Sequence, residues 1–324
     1  MTSLFSHFPV DRADWRPSAD LATLAARAEL LARVRVFFRD RGVMEVETPL
    51  LSPGTAPEPN LEPIACCGGR HLVTSPERHM KRLLAAGSGP IYQVAKAFRE
   101  DEAGRRHNPE FTLLEWYRPG WSMTALMGEV ADLVRMAVEW SGPPRESTWS
   151  GVFRRLLGVD PLADSIAELE RAAREAGVGL PAGLDREGIC DLLLSEVIEP
   201  ALGTEGGALF LTGFPASRAA MAEIDPGPPP VARRFELYVG GMELANGYQE
   251  EGDARCLAER FQAVNDAREQ TGRRRLPTDP RFLAAMEAGL PPCAGVALGL
   301  DRLLMLRLGR PDLREVLAFP WDQA

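Results

Sequence analysis

A charged loop between two strand-like runs carries the side chains best suited to chemistry. In "VAKAFREDEAGRRHNPEFTLLEWY", residues 94–117, Arg99, Arg105, Arg106 and His107 lie close together. Because a guanidinium forks onto phosphate oxygens, this cluster suits a polyanionic ligand. The alternative is a solvated loop whose arginines pair with its own carboxylates, and this stretch alone leaves both readings open.

The run after the loop mixes aromatic and acidic groups on one side. Phe111, Leu113, Glu115 and Tyr117 alternate along "EFTLLEWY", so they share one face of a strand. A core strand would show a clean apolar face there. The pattern favours a binding face.

A second hairpin is predicted in "RFELYVGGMELANGY", residues 234–248, with Gly240-Gly241 as a two-residue turn. That turn pairs Tyr238 with Glu243, and alternation then places Glu236, Tyr238, Glu243 and Ala245 on one face. Carboxylates that converge repel each other unless a hard cation such as Mg²⁺ bridges them. Either this pair binds a metal, or both side chains face solvent beside lysines.

A third stretch, "GLDRLLMLRLG", predicts a strand that runs through Gly299 into a helix. Glycine lets another group approach the backbone closely. Arg302 lies in the first turn of the helix, where free N–H groups and the helix dipole already favour anions.

Length and composition limit the class of protein. The 324 residues carry a net charge of −9, which gives no general attraction for nucleic acid. We find no apolar run long enough to span a membrane and no secretory signal, so the expected location is the cytoplasm. The expected organisation is an amino-terminal arm over residues 1–18 and one catalytic domain over residues 19–324.

The predicted elements place these stretches in one mixed domain. "LATLAARAELLARVRVFFRDRG" predicts an amphipathic helix with Leu24, Leu31, Val34 and Phe38 on its apolar side, and "VMEVETPLL" a strand. Residues 51–70 read as a loop, and "SPERHMKRLLAAG" as a helix capped by Ser75 with Pro76 at its first position. Residues 123–205 read as mainly helical.

Together these stretches resemble the three signature motifs of class II aminoacyl-tRNA synthetases. "RGVMEVETPLL", with Pro49, resembles the first, "AFREDEAGRRHNPEF" the second and "GVALGLDRLLML" the third. The resemblance covers roughly residues 20–324. It implies an α+β fold of the class II catalytic type, with an antiparallel sheet flanked by helices, and a homodimer built partly through the first motif.

The resemblance also implies the ligand-binding roles of individual residues, with ATP and Mg²⁺ as cofactors. Arg99 and Arg302 would be catalytic, and Glu236 and Glu243 would bind Mg²⁺. The residues implied to bind ATP are Arg99, Glu100, Asp101, His107, Asn108, Phe111, Glu243, Leu244, Gly299 and Arg302. Those implied to bind the amino acid are Ser75, Pro76, Glu77, Tyr117, Asn246, Glu250 and Ala297. Acidic groups there suit a dibasic substrate, because buried ammonium groups need charged partners.

Within the class, the chain is similar to the lysyl branch in "SPERHMKR", "RFELYVGGMELANGY" and "LREVLAFP". The first motif begins almost at once, so no room remains for the barrel with which lysyl-tRNA synthetases read the anticodon. The chain therefore resembles the short lysyl paralogues that attach β-lysine to a lysine of translation elongation factor P, and tRNA is an unlikely partner. At Ala297, lysyl-tRNA synthetases usually have glycine. The added methyl group either reshapes the pocket or has only an ordinary packing role in the strand.

The resemblance implies ATP-dependent activation of (R)-β-lysine, or lysine, as an adenylate, and transfer to elongation factor P. One alternative is a minimal lysyl-tRNA synthetase. The other is a regulatory, non-catalytic subunit, although the presence of Arg99, Arg302, Glu236 and Glu243 argues against it.

Overall fold

A sheet of nine strands forms the centre of the fold. The computed structural model describes residues 15–55, 57–59, 61–100, 102–138, 140, 142–204 and 207–324. The strands of this sheet and those of a smaller sheet are β1 (Met44–Glu45), β2 (Leu51–Ser52), β3 (Ala65–Cys66), β4 (Arg70–Leu72), β5 (Ile91–Phe98), β6 (Glu110–Pro119), β7 (Arg145–Thr148), β8 (Ala208–Pro215), β9 (Ile224–Asp225), β10 (Val231–Val239), β11 (Met242–Gln249) and β12 (Cys293–Gly299).

The α-helices flank these strands. They are α1 (Leu21–Arg39), α2 (Glu77–Ala85), α3 (Met123–Ala137), α4 (Trp149–Leu157), α5 (Ile166–Glu175), α6 (Arg186–Leu193), α7 (Ala254–Gln270), α8 (Pro280–Gly289) and α9 (Leu300–Leu308). None of them is long and apolar enough to cross a membrane, in the part of the chain that the structure describes.

The strand order in the large sheet is β1-β5-β6-β12-β11-β10-β8-β7, with β9 paired to β10. The predicted antiparallel arrangement is confirmed for the interior of the sheet. At the two edges, however, β1 pairs with β5 and β7 pairs with β8 in parallel. Parallel pairs need long crossovers, and helices α4 to α6 supply one between β7 and β8.

One face of the sheet carries the main hydrophobic core. Leu114 and Trp116 of β6, together with Val296 and Leu298 of β12, pack there against α1, α3 and α9. Because successive side chains in a strand point to opposite faces, the intervening residues of β6 and β12 point away from this core. Those residues include the predicted site residues Tyr117 and Ala297.

The predicted helical segment 123–205 is confirmed as mainly helical, with β7 as an unforeseen strand. Helices α4 to α6 build a second hydrophobic cluster that includes Trp149 and Phe153, and it packs on Phe214 of β8 and Tyr238 of β10. The segment thus covers one end of the sheet.

Several predicted elements need correction. The strand expected over residues 43–51 is only Met44–Glu45. The expected loop 51–70 contains β2 and β3, which pair with β4 in a small sheet of order β2-β4-β3. Helix α8 was not predicted. Helix α2 begins one residue later than expected, with Pro76 at its cap position and only a 3.4 Å contact from the Glu77 N–H to Ser75 Oγ.

Helix α1 is confirmed, although its buried side is Leu30, Val34, Phe37 and Phe38. Leu24 and Leu31 are only half-buried, so the apolar stripe is rotated from the predicted one. Residues 1–14 of the expected arm lie outside the described residues. The division into an arm and one catalytic domain stays a prediction.

Candidate active site

Two cavities meet on the face of the sheet that points away from the main core. The cationic cavity, of about 420 Å³, is lined by Arg99, Arg106, His107 and Arg302 among others. The acidic cavity, of about 100 Å³, is lined by Glu58, Glu77, Glu115 and Glu250 among others. The residues that line both are Glu58, Arg99, Leu113, Asn246 and Ala297.

Arg99 lies at the junction of the two cavities, directly after β5. Its guanidinium packs over the Phe111 ring, 5.0 Å from the ring centroid, and Nη1 donates to Glu102 Oε1 over 3.2 Å. Its Nε is buried and has no hydrogen-bond partner among the described residues. A buried, unsatisfied N–H is costly, so this donor is available for an anionic ligand.

Arg302 joins the third motif to the charged loop. It donates from Nη1 to the Glu243 carbonyl (2.9 Å) and from Nε to the Arg106 carbonyl (3.2 Å), and its Nη2 lies 2.7 Å from His107 Nε2. Burial, followed by the Arg302 charge, lowers the pKa of His107. His107 is therefore a neutral acceptor beside Arg302 at neutral pH. Arg106 in turn donates to the Gly241 carbonyl over 2.6 Å, which ties the loop to the second hairpin.

The other residues predicted to bind ATP fall into two groups. Phe111, Asn108, Leu244 and Gly299 line the cationic cavity. Asn108 already donates from Nδ2 to the Glu110 carbonyl and accepts from Trp321 N–H. Glu100 is exposed and lies outside the cavity wall, with its N–H bound to the Glu62 carbonyl, so its predicted contact is not supported.

Asp101 lies outside the described residues.

A side chain added at Gly299 would make only ordinary contacts with the Arg302 side chain, at 3.7 Å or more. The missing side chain at Gly299 therefore adds room to the cationic cavity and does not relieve a close contact.

The second hairpin has the predicted Gly240-Gly241 turn, with Tyr238 opposite Glu243. A bulge at Leu244 then shifts the register, so that Leu237 pairs with Ala245 and Glu236 with Asn246. The predicted position of Ala245 on the acidic face is therefore wrong. Ala245 packs into the main core, and Asn246 takes the place beside Glu236.

The two carboxylates of this hairpin lie close enough to interact. Burial and the neighbouring Glu236 raise the pKa of Glu243 to about 7. Glu236 itself accepts from Arg234 Nη2 (2.6 Å) and from the Tyr238 hydroxyl (2.7 Å). The Tyr238 hydroxyl also approaches Glu199 Oε1 at 3.4 Å. The pair thus faces the cationic cavity and is not solvated beside lysines.

A buried lysine pairs with two of the acids that line the acidic cavity. Lys81 of α2 has no exposed side-chain surface, and its Nζ lies 2.7 Å from Glu77 Oε1 and 2.7 Å from Glu250 Oε2. Burial alone would lower the pKa of Lys81, but the Glu250 and Glu77 carboxylates outweigh it and raise the pKa. Lys81 therefore stays charged and bridges the two predicted substrate-binding acids, Glu77 and Glu250.

Glu115 and Tyr117 of β6 form the wall beside this triad. The Tyr117 hydroxyl donates to Glu115 Oε1 over 2.6 Å, and Glu115 Oε2 is buried without a partner among the described residues. Burial and then the Glu77 charge raise the pKa of Glu115 well above its ordinary value. An acceptor buried in this way is suited to a ligand cation.

Strand β12 makes room for a ligand because its cavity-facing residues are small. Gly295, Ala297 and Gly299 alternate along the strand, and Ala297 is flanked by Glu115 on β6 and Asn246 on β11. A Cβ at Gly295 would lie 2.3 Å from both Glu250 Oε1 and the Tyr117 ring. Any larger residue there would displace the Glu250 carboxylate or the Tyr117 ring.

The structure brings most of the predicted substrate-binding residues together. The acidic cavity is lined by Ser75, Glu77, Tyr117, Asn246, Glu250 and Ala297. Pro76 is buried at the N-cap position of α2 and does not line the cavity. A cationic cavity that joins an acidic one at Arg99 fits a polyphosphate beside an amine-bearing molecule.

Comparison with known proteins decides the family. Residues 11–323 match the family described as tRNA synthetases class II (D, K and N). The chain belongs to this class II tRNA synthetase family. Among its curated relatives are proteins of Erwinia tasmaniensis (46% identical over 97% of this chain and 99% of the relative), Vibrio cholerae (47%, 96% and 99%) and Haemophilus influenzae (45%, 96% and 98%). Each of the three is named "Elongation factor P--(R)-beta-lysine ligase".

This class II synthetase has cavity residues that the sequence reasoning did not assign to the site. Among them are Glu58, Leu61, Glu102, Arg234, Tyr248 and Gly295, whereas Arg106 and Glu115 were predicted only as parts of the charged loop and of the binding face. Lys81, which pairs with two of the lining acids, was also missed, although its position one helical turn from Glu77 was a signal in the sequence. Glu58 had none, because its Pro-rich loop has no periodic pattern.

The residues present fit ATP and Mg²⁺, which the synthetase family generally uses. The cationic cavity offers four arginine side chains to a polyphosphate, among them Arg99 with its unpaired Nε. No group of three or more His, Cys, Asp or Glu that could hold a metal occurs in the described ranges. Mg²⁺ usually takes one or two carboxylates and completes its shell with water and phosphate oxygens, so Glu236 and Glu243 suffice.

We expect Glu236→Gln or Glu243→Gln to raise the Mg²⁺ concentration needed for half-maximal activity, because each change removes one anionic oxygen ligand from the cavity. The measurement is a Mg²⁺ titration of ATP–pyrophosphate exchange. Glu223→Gln is the matched control, since Glu223 pairs with Arg233 at the surface. Mg²⁺ titration curves identical to wild type would show that the two carboxylates bind no metal.

Proposed function

We propose that this chain uses ATP to activate (R)-β-lysine, or lysine, as an adenylate and transfers the acyl group to a lysine side chain of translation elongation factor P. The observation that carries the proposal is the junction of an acidic cavity with a cationic one at Arg99. The proposal is further supported by curated relatives of nearly equal length whose printed name is that ligase.

The two chemical steps need positioned charges more than a catalytic base. In the first, a carboxylate oxygen of the amino acid attacks the α-phosphorus and the bond to pyrophosphate breaks. Arg99 is placed to neutralise the charge that builds up at this centre. Arg302 and Arg106 would hold the distal phosphates, Phe111 would stack on adenine, and Mg²⁺ held by Glu236 and Glu243 would supply further positive charge.

In the second step, the acceptor amine attacks the acyl carbon, AMP leaves and the amine loses a proton. A solvated lysine has a pKa of about 10.4, so most of it is protonated at neutral pH. The complex must therefore desolvate this lysine or offer it a base. The net charge of −9 favours a partner whose acceptor lysine is surrounded by basic residues. A partner that belongs to the translation machinery implies that the reaction takes place in the cytoplasm.

The acceptor is tested by offering purified elongation factor P and lysine tRNA together, with ATP and β-lysine. We expect a mass increase on the factor and uncharged tRNA. Efficient tRNA charging with an unmodified factor would instead support the minimal lysyl-tRNA synthetase. Neither product, with no pyrophosphate exchange, would support the non-catalytic subunit.

A homodimer is part of the proposal. Met44, Leu50 and Leu51, which lie in or next to the first motif, are 51%, 38% and 46% exposed. A surface hollow of about 630 Å³ beside them is lined in part by Thr48 and Pro49. Exposed apolar side chains around such a hollow favour a subunit interface. Sedimentation equilibrium measures the oligomeric state directly.

Ala297 is expected to set the choice between α- and β-lysine. Its methyl group lies on the cavity face between Glu115 and Asn246, at the junction of the cavities. Ala297→Gly should improve the use of α-lysine, because one methyl in a pocket is worth about 1–3 kcal/mol. The measurement is the ratio of kcat/KM for the two isomers in pyrophosphate exchange.

Ala294→Gly is the matched control, since Ala294 lies on the same strand but is buried in the main core. It should leave the isomer ratio unchanged. An equal ratio in wild type and Ala297→Gly would show that selectivity lies elsewhere.

A further inference from the structure

Glu58 is a carboxylate at the junction of the two cavities. It lines both, whereas Glu77, Glu115 and Glu250 line only the acidic one. Its side chain is half-buried and forms no hydrogen bond or ion pair among residues 15–324, leaving aside the undescribed positions. Burial raises the pKa of Glu58, against the lowering effect of the nearby Arg99. Glu58 is thus a partly buried acid whose carboxylate is unpaired within the described residues.

The backbone around Glu58 is held rigidly. Arg268 of α7, which is fully buried, donates from Nη1 to the carbonyls of Glu58 (2.9 Å) and Leu61 (3.0 Å), and from Nη2 to the Glu62 carboxylate. Arg273 adds a bond to the Pro59 carbonyl at 2.9 Å. A loop anchored at three carbonyls and one carboxylate fixes where the Glu58 side chain starts. Its position at the junction is therefore built into the fold.

Two carboxylates of the acidic cavity, those of Glu58 and Glu115, form no ion pair among the described residues. Lys81 pairs with Glu77 and Glu250. Within the described part of the chain, Glu115 keeps one buried oxygen without a hydrogen-bond partner, and the Glu58 carboxylate forms no hydrogen bond or ion pair. Arg99 faces the junction, where the carboxylate and the phosphate of the reactants must meet. A ligand with two ammonium groups balances the two remaining acids.

The geometry decides which ammonium group meets which acid. The amino acid must place its carboxylate at the junction to reach the α-phosphorus, so its near ammonium group, a few bonds away, is also at the junction. Glu58 is the acid of the cavity that extends to this point. The distal ammonium group would then lie deeper, beside Glu115 and Tyr117, which line only the acidic cavity.

We infer that Glu58 binds the ammonium group next to the reacting carboxylate and makes the enzyme require an amino group at this end of its substrate. The inference rests on the proposed function and adds a specificity-determining residue to it. Ala297 limits the space at the same junction, while Glu58 supplies the charge.

The test pairs Glu58→Gln with two substrate analogues in pyrophosphate exchange. 6-Aminohexanoate lacks the near ammonium group of β-lysine, and 3-aminohexanoate lacks the distal one. A hydrogen bond between charged groups is worth a factor of roughly ten to a hundred. Glu58→Gln should lower kcat/KM by that factor for β-lysine and 3-aminohexanoate, and leave 6-aminohexanoate nearly unchanged.

Two further variants serve as controls. Glu175→Gln, on an exposed position of α5, should change none of the three values. Glu115→Gln should leave the preference for β-lysine over 6-aminohexanoate intact. The affinity of Glu58→Gln for β-lysine, measured by calorimetry, should fall in parallel with kcat/KM.

An equal loss for all three compounds in Glu58→Gln would overturn the inference, because it would show a general electrostatic effect that does not distinguish the near from the distal ammonium group. No loss for any compound would overturn it as well. Failure of the wild-type enzyme to activate β-lysine would instead overturn the proposed function. The two failures are therefore distinguishable.

Discussion

Arg99→Ala should lower amino-acid-dependent exchange of pyrophosphate into ATP by roughly a hundredfold, because one lost contact to a developing charge typically costs about 3 kcal/mol. Arg99 lines both cavities, and its Nε is buried without a partner in the described part of the chain. Its guanidinium is also stacked on Phe111, which restricts its orientation. The loss should appear mainly in kcat, since the charge that Arg99 neutralises develops in the transition state.

The matched control is Arg255→Ala, which removes an arginine that is 86% exposed on α7. It should leave exchange unchanged. Arg99→Lys should recover only part of the activity, because an ammonium group neither forks onto two oxygens nor stacks as a guanidinium does. Exchange that is indifferent to Arg99→Ala would refute the catalytic assignment and leave Arg99 as a structural partner of Glu102.

The parts of the site that could be predicted from the sequence depend on local periodicity. Alternation placed Tyr117 on a binding face of β6, and the Gly240-Gly241 pair placed Tyr238 opposite Glu243. These features are set by neighbouring residues in one strand or one turn. Ala297 and Gly299, which were both assigned to the site, share one face of β12 by the same rule, and Gly295 was missed although it lies on that face too.

The parts that were missed depend on contacts between distant segments. The bulge at Leu244 places Asn246, instead of Ala245, beside Glu236. The residues of the turn do not predict such a bulge. Glu58 reaches the junction because Arg268, more than two hundred residues away, holds its loop. Strand β1 is short because only Met44 and Glu45 pair with β5. Such features arise from tertiary packing, which outweighs local pattern.

Lys81 offers the other large effect, on stability. It is fully buried between Glu77 and Glu250, at 2.7 Å from each. Removing one partner of a buried ion pair leaves an uncompensated charge and typically costs about 3–5 kcal/mol. We therefore expect Lys81→Met to lower the free energy of unfolding by about that amount, measured by urea denaturation at pH 8.

Lys96→Met is the matched control, because it makes the same substitution in a pair with Glu110 whose two side chains are both 44% exposed. Exposed pairs of this kind are worth about 0–1 kcal/mol. Similar losses in the two variants would mean that Lys81 contributes packing and no special charge compensation.

The pH dependence separates charge from packing in Lys81→Met. Burial and the neighbouring Glu77 raise the pKa of Glu250 even against Lys81, and without the lysine this pKa must rise further. A carboxyl whose folded pKa exceeds its unfolded value of about 4.3 binds more protons when folded, so stability is lost as the pH rises between the two values. The deficit of Lys81→Met should therefore shrink as the pH falls from about 8 to about 5. Adding Glu250→Gln should recover part of the loss at pH 8, whereas a deficit that is constant with pH and unaffected by Glu250→Gln would point to a cavity left by the missing side chain.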